Sequence, residues 1–229
     1  MKPWYKNYWA QTWYRNTFLI HAPEEIAQAI RGDREWNNLY DSGCNFTCLA
    51  MIVGVDPARL ASAIAERTDA FFEPDNSLPA RFLTGEKGGL IWDQNRPHKG
   101  IKNVSLKDFW HPNPDRDGED GPSEQSKGGR RVTITLRFVE CTPTKNYLAA
   151  KKYIVAARKK GLHVVCGAKD HSHLVAGSND DDFYLWDPDD SEDGTSVERN
   201  MNGEFTLRQL FEDHKRETIE FWIYSLELV

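Results

Sequence analysis

Along parts of the chain apolar residues return every three or four positions, and along others every second position; the two periods mark helices and strands. Cys48, Leu49, Met51, Ile52 and Val55 follow the longer period, which predicts a buried helix over 45–54. Asp56 and Pro57 form an N-cap and first-turn pair, opening a second helix, "PARLASAIAERT". "APEEIAQAIRG" is a short helix with Pro23 near its start and Gly32 as its stop. "TKNYLAAKKYIVAARKKG" is amphipathic, and its basic last turn and Gly161 suit a C-terminus. "TLRQLFEDHK" is a further helix.

The shorter period, with β-branched residues, appears in "RVTITLRFVE"; "LHVVCGA", "SHLVAGS" and "DFYLWD" are three short strands separated by turn residues, and "TIEFWIYSLEL" closes the chain as a strand. Between the two halves, residues 70–131 are rich in Pro, Gly, Asp and Asn and read as a loop-rich insertion, with "HPNPDRDGEDGPSEQSKGGR" an exposed loop. Helices come first and mostly antiparallel strands follow, so the expected class is α+β. Residues 1–35, aromatic and polar, read as an extension packed on a domain spanning 36–229.

Composition narrows the function. The chain of 229 residues carries 29 Lys and Arg against 35 Asp and Glu, a net charge of −6, which speaks against a nucleic-acid surface built from clustered cations. No apolar run is long enough to span a bilayer. "MKPWYKNYWAQTWYRN" lacks the apolar core of a signal peptide, so the expected location is the cytoplasm, or outside the cell by a route that leaves no such signal. Four cysteines do not make a disulfide scaffold.

The candidate chemistry begins at "DSGCNFTCLAMI". Cys44 stands at the start of the predicted buried helix, where unpaired N–H groups and the helix dipole favour a thiolate. Cys48, one turn further on the apolar face, reads as core. A thiolate nucleophile needs an imidazole in reach and a third group to orient it. In "HSHLVAGS" His173 heads an apolar strand, and His171 shares its face if the strand reaches that far. "FYLWDPDD" ends the next strand on Asp187, and a hairpin of the two strands makes His173 and Asp187 neighbours.

"DSGCNFTCLAMI" followed by "HSHLVAGSNDDDFYLWDP" resembles the papain-like cysteine peptidases, closest to the branch of the bacterial double-glycine leader peptidases. The resemblance covers about a third of the chain. It implies a nucleophile helix packed on a C-terminal antiparallel sheet, with Cys44 as nucleophile, His173 as general base and acid, and Asp187 as orienting residue. The family carries Gln six residues before the nucleophile as an oxyanion donor; here Asn38 holds that position, one methylene shorter, with Asn37 beside it. The residue after the nucleophile is Asn45 where the family has Gly. Losing one oxyanion donor costs about 10²–10³ in rate.

The expected activity is hydrolysis of an amide bond through an acyl-thioester, with no cofactor and with a peptide, protein or peptidoglycan substrate. Deamidation, or a silent binding module that kept the cleft and lost the donor, is the alternative. A metal set of Cys44, Cys48, His171 and His173 has loose spacings for zinc. "DPDDSEDGTSVE" resembles a calcium loop but has Glu192 where the turn glycine belongs, so it reads as a solvated turn. Cys141 and Cys166 lie on predicted strand segments and read as core.

Overall fold

The computed structural model describes residues 3–14, 43–65, 88–93, 100–111, 129–168, 171–179, 181–189 and 199–229. Asn37, Asn38, the expected helix over 22–32 and the acidic stretch 190–198 lie outside them.

Among the described residues a short 3-10 helix (Gln11–Trp13) precedes two α-helices, α1 (Cys44–Val53) and α2 (Pro57–Ala65). Strands β1 (Gly88–Asp93), β2 (Gly100–His111) and β3 (Arg130–Thr144) follow, then α3 (Tyr147–Lys159). The chain continues through β4 (His163–Ala168), β5 (His171–Ser178), β6 (Phe183–Trp186), α4 (Leu207–Asp213) and β7 (Ile219–Leu228). The strands form one sheet in the order β1-β2-β3-β7-β4-β5-β6, and every neighbouring pair is antiparallel. The class is α+β, as the element order predicts.

Helix ends are set by local chemistry. Gly54, at φ 77°, closes α1 in the left-handed conformation that glycine adopts without strain. The His111 ring also caps this end, its Nε2–H donating to Val53 O at 2.9 Å. Asp56 Oδ1 accepts the Arg59 N–H at 3.1 Å and so caps α2. Asn146 caps α3 through the Ala149 N–H, and Thr206 with Gln209 forms a reciprocal capping box on α4.

Period-2 alternation in the central strands feeds two cores on opposite faces of the sheet. Val165, Leu174, Ala176, Trp186, Trp222 and Tyr224 pack with α1 and with Leu60 of α2. Val164, Cys166, Val175, Leu185, Phe221 and Ile223 pack with Ala150, Ile154 and Ala157 of α3 and Leu207 and Leu210 of α4. The sheet is thus covered by helices on both sides, and α1 is buried along nearly its whole length, its polar Asn45 and Thr47 included.

The stretch 70–131, expected to be loop-rich, contributes β1 and β2 to the sheet. The reason that β2 escapes a period-2 reading is visible in its register. Leu106 and Phe109, three residues apart, are both buried in the α1 core because the pairing with β3 shifts between them. Asp108 takes up the irregularity at φ 54°, with its carboxylate 2.9 Å from Arg131 Nη1.

Candidate active site

Cys44 is the first residue of α1, following Gly43 at the N-cap. The first turn of a helix presents N–H groups that its own ladder does not use, and the dipole there favours negative charge. β5 packs against α1 and carries its first residue, His171, to this end of the helix. Cys44 and His171 are hydrogen-bonded through their side chains. His171 Nε2 lies 2.6 Å from Asp187 Oδ1. With Nε2 on the carboxylate, Nδ1 is the ring nitrogen left for the thiol. Cys44, His171 and Asp187 therefore form a continuous relay.

His173 is a neighbour of Asp187, as the hairpin predicts, but it is His171 that meets the Cys44 thiol. Alternation along β5 puts His173 on the face of Val175, away from α1, where its ring packs 5.2 Å from that of Phe205. His171 shares that parity, but as the first residue of the strand it lies at the end of the sheet, where α1 and the turn after β6 both reach it. β4 and β5 pair Ala168 with His171, so the strand does extend the two extra residues that place both imidazoles near one carboxylate. His173 Nε2 is 3.6 Å from Asp187 Oδ2, past good hydrogen-bond length. The two rings stand perpendicular, 4.6 Å apart.

Charge is distributed accordingly. Burial raises the Cys44 thiol, but the hydrogen bond and charge of His171, with the Ser172 backbone and hydroxyl, outweigh it and leave the thiol below its ordinary value. Burial also opposes charge on His171, yet Asp187 and Cys44 hold its pKa well above the usual imidazole range. Asp187 loses hydration too, and the two imidazoles keep it well below the usual carboxylate range. His173 is pushed down, chiefly by burial. The shifts run toward charge on Cys44, His171 and Asp187 and away from charge on His173.

Cys48, one turn beyond Cys44, is fully buried, with Sγ 3.8 Å from Ser172 O. Desolvation and the neighbouring Cys44 push its thiol well up. Cys166 is likewise buried and raised, and Cys141 is half-buried on β3. The metal set weighed from sequence gives way to another. Among the described residues, the group with ligand atoms within 4.8 Å of one another is His171, His173 and Asp187.

Residues that sequence reasoning missed hold Asp187 in place. Asn200, 1% exposed, accepts the Asp187 N–H at 2.9 Å and donates to its carbonyl at 3.0 Å. Tyr8 donates its hydroxyl to the same carbonyl at 2.5 Å and accepts from Asn200 at 3.1 Å. The Gln11 N–H donates to Pro188 O at 2.7 Å. The Asp189 N–H reaches Asp187 Oδ1 at 2.9 Å. The N-terminal aromatics thus pack on the domain and brace the turn that carries the carboxylate. Nothing local to "RNMNGEF" or "NYWAQTW" announces these bonds, because their partners are distant in sequence. Compared with known proteins, the chain matches no family model, no curated protein and no solved structure.

Proposed function

We propose that the chain is a cysteine-dependent amide-bond hydrolase of papain-like architecture, with Cys44 as nucleophile, His171 as base and acid, and Asp187 as the group that orients it. The observation that carries this reading is the hydrogen-bonded line from Cys44 through His171 to Asp187, with its second link at 2.6 Å. His173, the imidazole favoured from sequence, lies behind the carboxylate and takes no direct part.

The Cys44 thiolate attacks the amide carbonyl carbon, and the carbonyl electrons move onto oxygen. The Cys44 backbone N–H, at the first turn of α1, donates to that oxyanion, and Asn38 is its proposed companion. As the C–N bond breaks, the His171 imidazolium gives its proton to the leaving amine. The acyl group remains on Cys44 as a thioester. Neutral His171 then takes a proton from water, the hydroxide adds to the thioester, and the acid leaves with return of the thiolate. Asp187 keeps the ring in one orientation and stabilises its charged form.

A peptide or protein amide is the first substrate class and a peptidoglycan amide the second. Incubation with peptide and muropeptide amides, followed by mass spectrometry, tests the reading. Product formation that Cys44→Ala abolishes is the expected result. The reading fails if Cys44 alkylates no faster than Cys141 at about pH 6, where an ordinary thiol is almost wholly protonated.

A further inference from the structure

We propose that His171, His173 and Asp187 form an inhibitory binding site for a borderline transition-metal ion such as Zn²⁺. The binding claim stands on the three side chains alone; its inhibitory consequence rests on the hydrolase reading above.

His173 is the starting point. Other described histidines have a hydrogen-bond partner for a ring nitrogen: His163 the Tyr5 hydroxyl at 2.9 Å, His111 the Val53 carbonyl at 2.9 Å, His214 the Glu217 carboxylate at 3.2 Å. The His173 side chain is 5% exposed, its Nδ1 has no partner, and its Nε2 is 3.6 Å from Asp187 Oδ2. A buried imidazole ordinarily satisfies its nitrogens. This one instead faces a carboxylate from just beyond bonding range, beside a second imidazole that faces the same carboxylate.

The His173 spacing suits a cation better than it suits a proton. In a tetrahedral zinc site with bonds of about 2.0–2.1 Å, ligand atoms stand roughly 3.4 Å apart. Here His171 Nε2 is 2.6 Å from Asp187 Oδ1 and His173 Nε2 is 3.6 Å from Asp187 Oδ2, and one ligand atom from each residue lies within 4.8 Å of the other two. To reach tetrahedral spacing the 2.6 Å contact opens and the widest separation closes, each by roughly 1 Å. Two imidazoles and one carboxylate select Zn²⁺, Co²⁺, Ni²⁺ or Cu²⁺ over the oxygen-seeking Mg²⁺ and Ca²⁺.

The outer shell is already built. The Asp189 N–H holds Asp187 Oδ1, and Asn200 and Tyr8 fix the backbone behind it. His171 and Asp187 are 29% and 30% exposed, so an ion arrives from solvent and keeps water as its fourth ligand. Binding takes the Nε2 lone pair of His171 and releases to solvent the proton shared with Asp187. It separates the ring from the carboxylate and draws it from Cys44, so the thiolate–imidazolium pair is lost.

The test uses the full chain carrying Cys44→Ala, titrated with Zn²⁺ against a chromophoric chelator and, separately, with Co²⁺ followed by visible absorption. One ion bound at micromolar or tighter affinity, weakened about tenfold or more by His173→Asn, is the expected result. In the chain with Cys44 intact, Zn²⁺ slows Cys44 alkylation and the chelator restores it. Should His173→Asn fail to fold, His171→Asn at the half-exposed position decides the same point. The proposal is overturned if Cys44→Ala binds no Zn²⁺ below millimolar concentration, or if the histidine variants bind it as the parent does. Failure of the hydrolase reading looks different: Cys44 then behaves as an ordinary thiol with no metal present, whatever the titration shows.

Discussion

His171 Nε2 and Asp187 Oδ1 are 2.6 Å apart, and this contact joins the first residue of one strand to the residue just past the end of the next. Hairpin geometry produces it: β5 and β6 run antiparallel, with Leu174 opposite Trp186, so the head of one lies by the tail of the other. The pair sits at the N-terminal end of α1, where a thiolate is stabilised.

The two imidazoles separate in a labelling experiment. Cys44 is expected to alkylate with iodoacetamide at mildly acidic pH, and its rate to fall only as pH drops through its lowered pKa. His171→Ala returns Cys44 to ordinary thiol behaviour. His173→Ala leaves the fast reaction in place. Peptide mapping of each cysteine against pH reads both, and the reverse pattern would restore His173 as the partner.

Asp187→Asn removes the charge that supports the His171 imidazolium while keeping a side chain of similar shape. Loss of an orienting carboxylate of this kind costs up to about 10⁴ in turnover. The His171 ring signals in NMR are expected to titrate at lower pH than in the parent, since the folded pKa is raised chiefly by the Asp187 bond against the pull of burial. A titration unchanged by the substitution would remove Asp187 from its role.

His163 makes folding sensitive to acid far from the site. Burial, with the Arg158 charge, lowers its pKa to about 4. The unfolded chain therefore binds the extra proton first, at about 6.5, and stability falls as pH drops from there toward 4. The loss amounts to roughly 3 kcal/mol when complete. His163→Gln keeps a polar partner for the Tyr5 hydroxyl without a titratable ring. Urea midpoints across that range are expected to vary less in the variant than in the parent.

Asn200→Ala leaves the Asp187 N–H short of a buried partner, while the Tyr8 hydroxyl keeps its bond to the Asp187 carbonyl. That orphan costs about 1–3 kcal/mol, and Tyr8→Phe, which removes one donor, about 1 kcal/mol. Denaturant midpoints should show that order. Slower alkylation of Cys44 in Asn200→Ala would mark the tether as a positioning device as well as a structural one.

Gly177→Ala probes the end of β5. A Cβ at Gly177 collides with the Tyr184 ring and hydroxyl, which lie directly over it. Overpacking of this kind costs about 1–3 kcal/mol, read as a lower urea midpoint.

Much of this architecture is legible from local pattern. α1 declares itself through its unbroken apolar face, and α3 and α4 through caps written in adjacent residues, Asn146 and Thr206 with Gln209. Alternation predicts that His171 and His173 share a face. It does not say that this face looks away from α1, nor that only the first residue of the strand can reach round the end of the sheet. β2 stays hidden because a register shift breaks its period between Leu106 and Phe109. Asn200 and Tyr8, 192 positions apart, meet only once the sheet has formed.

β3 and β4 are joined through α3, yet β7 lies between them in the sheet. Until β7 docks, two inner strands stand with open edges, Ile134, Leu136 and Val165 among their apolar residues. Such edges pair readily with other chains. Damage to β7 would then be read as precipitate in the tube and as demand on chaperones in the cell, before any change in chemistry could be measured.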